Sequence, residues 1–292
     1  MARSISHKVL THPANRAHPR RALARAVYWQ VHKRVWRRPV DIDFEGFRLR
    51  CHPGSGSASN VWYFTSRFDF AEMAFLERYL RPGDHVLDVG ANIGTYTLFM
   101  ASLVGSTGHV TAFEPEPRNA RRLAENVEIN GLSAQVTVHP NAVADCPGTV
   151  PFFADRDVSN GLATQDDPRG RTIEVSAVRL DDVVTAHPRL QVAKLDVEGA
   201  EVMALAGAAG LLAAGQPRIW LTEVITSQLR WFGESRESLV TAFGEAGYVP
   251  CSVDDTSGRL VWDVPVTKGN VFFVARNAAA EVEQRLAARP RR

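Results

Sequence analysis

The residues best suited to bind a nucleotide-like ligand lie in one stretch, residues 85–97. An apolar run predicts a buried strand around Asp88, and a turn containing Gly90, Asn92 and Gly94 leads into a predicted helix. Glycines in such a turn bring bare backbone close to a ligand at the N-terminus of the helix. The stretch therefore predicts a pocket for a nucleotide cofactor.

The spacing of these residues distinguishes two classes of cofactor. A dinucleotide-binding turn needs Gly-x-Gly-x-x-Gly, whereas this turn reads Asp-x-Gly-x-Asn-x-Gly. The missing middle glycine argues against an NAD-linked oxidoreductase. The observed form resembles the first motif of class I S-adenosylmethionine-dependent methyltransferases, whose cofactor has no pyrophosphate. The resemblance implies that Asp88, Gly90, Asn92 and Gly94 hold the methionine end of S-adenosylmethionine.

Two further positions fit an adenosine cofactor. Glu114 ends the next predicted strand, 20 residues after Gly94. A carboxylate there can accept hydrogen bonds from both ribose hydroxyls. The alternative is a solvated carboxylate at a strand end, but its separation from the glycine turn favours the ribose role. Asn141 and Ala142 end the third predicted strand, where the adenine would lie.

Three carboxylates, Asp196, Glu198 and Glu201, follow a later predicted strand. In an open α/β sheet, ligands bind beside the carboxyl ends of the strands. Acids packed together raise one another's pKa values, which prepares one of them as a general base. They could equally form part of a metal site with oxygen ligands, although we assign no metal ligand. Glu201 fits best as an acid favoured by the dipole at a helix N-terminus.

A series of motifs runs in order through residues 66–275. They are Asp88 to Gly94, Phe113-Glu114-Pro115, Asn126, Asn130-Gly131, Leu180-Asp181-Asp182, Asp196 to Glu201 with Leu205 and Gly207, Glu223, and Asn270 to Phe273. Jointly they resemble the FkbM-type methyltransferase family. The resemblance implies a class I methyltransferase fold, S-adenosylmethionine as the methyl donor, and a hydroxyl acceptor on a secondary metabolite or a glycan.

The same resemblance implies that Asp196, Glu198 and Glu223 line the acceptor side of the site. Methyl transfer from a sulfonium is an in-line displacement, so the protein must align the acceptor hydroxyl and remove its proton. We predict Asp196 or Glu198 as the base that does so. Trp231 and Phe232 follow the fifth strand of the predicted sheet, and they either wall the acceptor pocket or pack elsewhere.

Alternating strand and helix patterns predict a Rossmann-like α/β fold. We expect a mostly parallel seven-stranded sheet with a terminal antiparallel strand and helices on both faces. The predicted parts are a basic arm with an amphipathic helix (1–39), strands and a helix (40–80), the methyltransferase domain (81–277) and a basic tail (278–292). Residues 1–20 are expected to be disordered, residues 54–59 to form a turn and residues 61–64 to form a strand. One strand is expected over 135–143, and extra strands at 148–153 and 172–178 are expected to flank a polar loop at 155–171. The tail is expected to be either a helix or a frayed end. We expect acceptor specificity to depend on the N-terminal strands, the loop at 155–171 and the segment 225–236.

Charge is distributed unevenly along the chain. Residues 1–40 hold ten of the 34 Lys and Arg residues and none of the 32 Asp and Glu residues, so the remainder has 24 basic and 32 acidic side chains. An acidic body is poorly suited to binding nucleic acid.

Apolar residues recur every four positions in the segment 21–38, at Leu23, Val27, Val31 and Val35. This basic helix either lies on an anionic membrane surface or packs against the domain with its charges in solvent.

Other functions are less well supported by the sequence. Enzymes that methylate amino groups of DNA carry an Asn-Pro-Pro-Tyr-like run after the fourth strand, and this chain has none there. A noncatalytic S-adenosylmethionine-binding or membrane-scaffold protein is a further alternative. The acids at 196, 198 and 223 weigh against it.

The three cysteines have no metal-site spacing, and their low, odd number fits a reducing compartment such as the cytoplasm. No apolar run is long enough to cross a bilayer.

Overall fold

The computed structural model describes residues 5–154, 160–163, 170–187, 189–254 and 259–288. The strands are β1 (Val40–Phe44), β2 (Phe47–Cys51), β3 (His85–Val89), β4 (His109–Phe113), β5 (Val136–His139), β6 (Ala142–Val143), β7 (Gly148–Phe153), β8 (Gly161–Leu162), β9 (Thr172–Val178), β10 (Leu190–Leu195), β11 (Ile219–Val224), β12 (Tyr248–Val253), β13 (Leu260–Trp262) and β14 (Gly269–Ala275). The α-helices are α1 (Ile5–Thr11), α2 (Pro19–Val35), α3 (Gly56–Phe64), α4 (Phe70–Tyr79), α5 (Thr95–Val104), α6 (Pro117–Glu128), α7 (Leu180–Val183), α8 (Glu201–Ala206), α9 (Ala209–Ala213), α10 (Thr226–Leu229), α11 (Arg236–Glu245) and α12 (Ala279–Ala287).

Eight of the described strands form the central sheet, in the order β13-β12-β14-β11-β10-β3-β4-β5. The five strands from β11 to β5 are parallel neighbours, and β14 runs antiparallel between β11 and β12. This topology, with helices around the sheet, confirms the predicted Rossmann-like class I methyltransferase fold. The short strand β13 extends the edge beyond the seven predicted strands, by antiparallel pairing with β12.

Two neighbouring strands of the central sheet, β10 and β3, are almost wholly buried. Every residue of β10 is buried, and so are the last four residues of β3. Such strands are usually continuous apolar runs, since helices cover both faces of a parallel sheet. Each of these two strands nevertheless carries one buried charged residue, Asp88 in β3 and Lys194 in β10, and the two are paired in register. Because buried charges need compensating partners, this pair marks the functional end of the sheet.

A smaller sheet, in the order β6-β9-β7-β8, lies beside the central one. It confirms the strands predicted around 148–153 and 172–178. The single strand predicted for 135–143 is wrong, because the chain leaves the central sheet after His139 and Ala142–Val143 pairs with β9 instead. Pro140 between the two strands has no N–H for a sheet ladder, which is consistent with the break.

The N-terminal region differs most from the sequence-based expectation. Disorder was expected for residues 1–20, but Ile5–Thr11 is helical and Asn15 is buried, donating through Nδ2 to the carbonyl oxygens of Val9 and Tyr63, at 2.8 Å each. The turn and strand expected at 54–59 and 61–64 are instead the single helix α3. Ser55 caps α3 by accepting a hydrogen bond from the N–H of Ala58, so the cap and tertiary packing override the β-propensity of the aromatic run.

Helix α2 packs through a face that the four-residue periodicity does not identify. Its buried residues include Ala22, Ala26 and Trp29, and the Trp29 indole N–H donates to Ser59 Oγ of α3 at 2.9 Å. The predicted apolar positions, Leu23, Val27, Val31 and Val35, are exposed instead. None of the described helices combines the length and apolar character that a bilayer crossing requires.

The C-terminal tail forms helix α12, as one of the two expected alternatives, and residues 289–292 lie outside the described part. Arg285 of α12 donates to both carboxylate oxygens of Asp84, at 2.8 and 2.6 Å. Asp84 immediately precedes β3, so this contact ties the end of the chain to the central strand.

Candidate functional site

A cavity of about 250 Å³ lies at the carboxyl ends of β3, β4, β10 and β11. Its lining includes nine of the ten predicted site residues: Asp88, Gly90, Asn92, Glu114, Asn141, Ala142, Asp196, Glu198 and Glu223. The location is the one at which open α/β sheets bind ligands. The structure thus brings together residues that are more than 130 positions apart in the chain.

The glycine turn after β3 makes two close backbone contacts. Gly90 has a φ of +85°, and a β-carbon there would lie 1.9 Å from the carbonyl oxygen of Asp196. Gly94 lies outside the cavity lining. Its φ is +91°, it precedes α5, and a β-carbon there would lie 2.5 Å from Leu123 Cδ1 of α6. Gly90 therefore shapes the cavity, whereas Gly94 allows α5 and α6 to pack closely.

Asn92 connects the turn to two other elements. It occupies the left-handed region with a φ of +51°, which Asn tolerates better than most residues. Its N–H donates to Glu114 Oε2 at 2.8 Å, and its Oδ1 accepts from Ser57 Oγ of α3 at 3.0 Å. The turn is thereby held against the end of β4 on one side and against α3 on the other.

Glu114 is buried beside the cavity. Its Oε1 accepts from the N–H of Glu116 at 2.9 Å, in addition to the contact from Asn92. Burial raises the pKa of Glu114 to about 8, although both backbone N–H groups act in the opposite direction. Each carboxylate oxygen can accept more than one hydrogen bond, so the group retains acceptor capacity for ligand hydroxyls.

Asp88 is fully buried at the base of the cavity. Its Oδ2 accepts from the Thr97 hydroxyl at 2.6 Å, while its Oδ1 has no hydrogen-bond partner among the described residues. Burial raises the pKa of Asp88, and the nearby Lys194 ammonium opposes that shift. A buried acceptor without a donor is costly, and a ligand amino group would supply one.

Four acids line the cavity next to the glycine turn, and we define them as the acid cluster: Asp69, Asp196, Glu198 and Glu223. Lys194 lies beneath it, with Nζ 2.7 Å from Asp196 Oδ2 and 4.8 Å from the centre of the Tyr96 ring. Burial alone would lower the pKa of Lys194, but the carboxylates of Asp196 and Asp88 outweigh it and raise that pKa. The lysine is therefore a fixed positive charge between the cofactor motif and the acid cluster.

Two members of the cluster have pKa values above the ordinary value of a glutamate. Burial raises the pKa values of Glu198 and Glu223, and the charge of Asp196 raises both further. Glu198 accepts a hydrogen bond from Gln228 Nε2 and has a φ of +56°. Strained backbone of this kind clusters at functional sites. Glu201 is also buried, but it binds the N–H of Gly199 at 3.1 Å and lies outside the cavity lining, as expected for a helix-terminal acid.

The sequence did not identify Tyr96 of α5 or the wall contributed by residues before β3. Asp69 and Tyr96 line the cavity, and the Tyr96 hydroxyl donates to Asp69 Oδ2 at 2.8 Å. Ser57, Asn60 and Phe68 complete this wall. The proximity of Tyr96 to the glycine turn was the available signal, since the first helical turn after such a motif faces the ligand.

The segments expected to form the acceptor pocket contribute unequally. Residues 160–162 line the cavity, while residues 155–159 and 164–169 of the same predicted loop lie outside the described residues. Phe232 packs against the small apolar cluster formed by the second sheet, and Trp231 is exposed. Within the described part of the chain, no three His, Cys, Asp or Glu side chains are grouped to hold a metal ion.

A family model of the methyltransferase FkbM domain matches residues 88–250, more than half of the chain. The chain belongs to the FkbM methyltransferase family. The match contains both the glycine turn and three of the four acids of the cluster, and it confirms the predicted resemblance. As a member of this family, the chain is an S-adenosylmethionine-dependent methyltransferase.

Individual FkbM relatives and other methyltransferases are similar over smaller parts. The 31-O-demethyl-FK506 methyltransferase FkbM of Streptomyces tacrolimicus is 34% identical over 189 residues, which cover 53% of this chain and 70% of that protein. The ribosomal protein L11 methyltransferase of Bacillus pumilus is 37% identical over 70 residues, or 24% and 22% of the two chains. Aeropyrum pernix fibrillarin, solved with S-adenosylmethionine, has a TM-score of 0.39 and 15% identity over 70% of this chain and 73% of that one.

The cavity of this FkbM family member fits the cofactor chemically. The unpaired Oδ1 of Asp88 suits an amino group, and the bare backbone of Gly90 admits a closely approaching ligand. The Glu114 carboxylate suits vicinal hydroxyls, and Phe113 and Val143 supply apolar surface for a purine. When bound, S-adenosylmethionine supplies an electrophilic methyl group.

Proposed function

We propose that this enzyme transfers a methyl group to a hydroxyl of a small molecule or glycan and that a carboxylate of the acid cluster removes the hydroxyl proton. One observation carries the proposal. Asp196, Glu198 and Glu223 line the same cavity as the cofactor motif, and burial raises the pKa values of the two glutamates. A hydroxyl is a weak nucleophile until it is deprotonated, and a base with a pKa near the working pH serves it best.

The contacts distinguish the three candidate bases. Asp196 is ion-paired with Lys194, and Glu198 is hydrogen-bonded to Gln228. The Glu223 carboxylate forms neither a hydrogen bond nor an ion pair with any described residue. All three stay candidates, but Glu223 is the one whose oxygens are open to an acceptor hydroxyl. Asp196 and Lys194 then set the local charge, and Gln228 orients Glu198.

The cofactor side of the proposal rests on the glycine turn and the strand ends beside it. Asp88, Gly90 and Asn92 would hold the methionine end of the cofactor, and Glu114 its ribose. Asn141 and Ala142 line the cavity beyond β5 and would flank the adenine. Gly94 supports this arrangement indirectly, by allowing α5 to begin directly after the turn.

Two observations support a hydroxyl on an organic acceptor. The Streptomyces tacrolimicus relative is named for a substrate that lacks an O-methyl group. In addition, Phe68, Phe152 and Leu162 give the cavity apolar surface beside its carboxylates. Organic ligands are bound by pockets that combine apolar lining with a few polar groups.

The test is formation of S-adenosylhomocysteine, followed by mass spectrometry, when the enzyme is given S-adenosylmethionine and a panel of hydroxylated metabolites, glycans and matched amines. Methylated product from a hydroxyl and not from the corresponding amine supports the proposal. Glu223→Gln should lower turnover by about 10²–10⁴-fold, while calorimetric binding of S-adenosylmethionine is retained.

Glu128→Gln, which changes an exposed acid on α6, is the matched control and should leave turnover unchanged. Full activity in all three variants Asp196→Asn, Glu198→Gln and Glu223→Gln would remove the carboxylate base from the mechanism. Methylation of amines alone would reassign the enzyme to N-methyl transfer.

A further inference from the structure

Helix α2 exposes an apolar surface that the fold does not use. We define this surface, the α2 stripe, by Leu23, Val27, Val31 and Val35 with Tyr28 and Trp36 beside them. Val35 is 63% exposed, Val27 55% and Trp36 54%. The helix is anchored by its opposite face, where Trp29 stacks on Trp62 of α3 with ring centres 5.1 Å apart. The four aliphatic side chains of the stripe are therefore left exposed, while Tyr28 at its edge also contacts Trp62, with ring centres 5.3 Å apart.

Uncompensated positive charge surrounds the stripe. The exposed arginines on and next to α2 are Arg20, Arg21, Arg34, Arg37 and Arg38. No Lys or Arg between residues 5 and 38 forms an ion pair with a described carboxylate, and residues 1–40 contain no acid at all. Elsewhere on the chain the arginines are commonly paired, as Arg50 is with Asp41 and Glu125. The N-terminal segment thus presents apolar and cationic groups together.

We propose that the α2 stripe binds the surface of membranes that contain anionic phospholipids. A helix that lies in the membrane interface places apolar side chains at the boundary of headgroups and acyl chains, and its Arg and Lys residues near lipid phosphates. Trp36 and Tyr28 lie at the edges of the stripe. Trp and Tyr are the side chains favoured at the interface between membrane and water.

A second copy of the chain is a poorer occupant of the stripe. A twofold-symmetric contact brings the same surface of each copy together. Here it would oppose two segments that each carry several arginines and no acid, and like charges across an interface are repulsive. An anionic bilayer instead complements both the charge and the apolar side chains.

The proposed surface lies one helix away from the catalytic cavity. Helix α2 packs on α3, and Arg25 of α2 donates to the carbonyl oxygen of Trp62 at 2.7 Å. Ser57 and Asn60 of the same α3 line the cavity. The proposal goes beyond the methyl transfer proposed above and does not depend on which acceptor the enzyme uses.

The test is co-sedimentation of the full chain with vesicles of phosphatidylglycerol and phosphatidylcholine in equal parts, compared with vesicles of phosphatidylcholine alone. We expect binding to the anionic vesicles that weakens as salt is raised. Val27→Glu/Val31→Glu should weaken binding about tenfold or more, since it removes apolar contact and adds negative charge. Val261→Glu, at an exposed valine of β13, should bind like the unaltered chain.

Arg37→Gln/Arg38→Gln provides a second variant that leaves the apolar side chains in place, and it should weaken binding and flatten the salt dependence. Binding of S-adenosylmethionine by each variant shows that it is folded. The proposal is overturned if the unaltered chain does not bind anionic vesicles at low salt, binds neutral vesicles equally well, or is unaffected by the two glutamates. A concentration-dependent dimer that those glutamates disperse, without vesicle binding, would assign the stripe to a second copy.

Discussion

The backbone of Gly90 lies against the carbonyl oxygen of Asp196, 1.9 Å from the place that a β-carbon at residue 90 would occupy. The N–H of Asp196 in turn donates to the carbonyl oxygen of Val89 at 3.0 Å. The turn that faces the cofactor and the strand end that begins the acid cluster are therefore in direct backbone contact. A change in either one is transmitted to the other.

Gly90→Ala should consequently abolish cofactor binding and destabilise the fold. The left-handed conformation alone costs an L-residue about 1–2 kcal/mol, and the contact with Asp196 adds a steric cost that only a shift of the turn can relieve. Gly131→Ala is the control, because Gly131 also has a positive φ, of +64°, but a β-carbon there meets nothing within 4 Å. Calorimetric titration with S-adenosylmethionine and urea unfolding measure both effects. Equal losses in the two variants would contradict the steric argument.

Glu114 should make cofactor binding dependent on pH. Burial raises its pKa to about 8, so the side chain is largely protonated at neutral pH in the free enzyme. Ribose hydroxyls that donate to the carboxylate favour its ionised form. Affinity for S-adenosylmethionine should therefore increase as pH rises towards 8, by at most about tenfold per pH unit, and level off above it.

The Glu114→Gln variant separates the effect of Glu114 on the pH dependence of cofactor binding from the effect of the acid cluster. It should bind the cofactor more weakly and lose most of the pH dependence. Titrations in buffers of different ionisation enthalpy should show proton release on binding by the unaltered enzyme and less release by the variant. An affinity that instead falls as pH rises towards and beyond the pKa of about 8 would show that the protonated carboxyl is the binding form.

The rate of methyl transfer should rise with pH through the neutral range. Burial and the charge of Asp196 raise the pKa values of Glu198 and Glu223, and a general base acts only when deprotonated. Initial rates at saturating cofactor and acceptor should therefore be low in mild acid and increase towards mild alkali. Glu223→Gln should lower the rate and flatten the profile. A profile of unchanged shape in Glu223→Gln and in Glu198→Gln would exclude both as the titrating group.

Lys194→Met should destabilise the protein because it leaves Asp88 and Asp196 without their common positive neighbour. The Asp196 side chain is 32% exposed, so the loss should be at or below the ~3 kcal/mol found when a buried pair is broken. The double variant Lys194→Met/Asp196→Asn removes both partners and should recover part of that loss. Urea unfolding measures the free energy of unfolding of the single and double variants. A double variant as unstable as Lys194→Met would argue that loss of the Lys194–Asp196 pair does not cause the destabilisation.

The sequence predicted most of the site because its signals are local. The glycine turn, Glu114 and the acids after β10 each lie at a strand end, and parallel topology alone brings those ends together. Asp69 could not be recognised in this way. It precedes α4 as an ordinary helix-capping acid would, and only tertiary packing places it against Tyr96.

The errors of secondary structure have a similar origin. Residues 61–64 have β-branched and aromatic side chains, but the Ser55 cap and the packing of Trp62 against Trp29 stabilise a helix. The four-residue periodicity of α2 was correct as a helical signal and misleading as a guide to the buried face. The buried face of that helix carries Ala22, Ala26 and Trp29, and Trp29 stacks on Trp62 of α3.

The wall formed by Ser57, Asn60, Phe68 and Asp69 precedes residue 88, where the match to the family begins. The cavity lining thus combines residues within the family match with a wall of four residues that the match does not include. Removing the residues before 88 would remove these four lining residues and the hydrogen bond that Ser57 donates to Asn92. Exchanging the segment before residue 88 between relatives would accordingly replace four residues of the cavity lining, including the Ser57 that contacts the glycine turn.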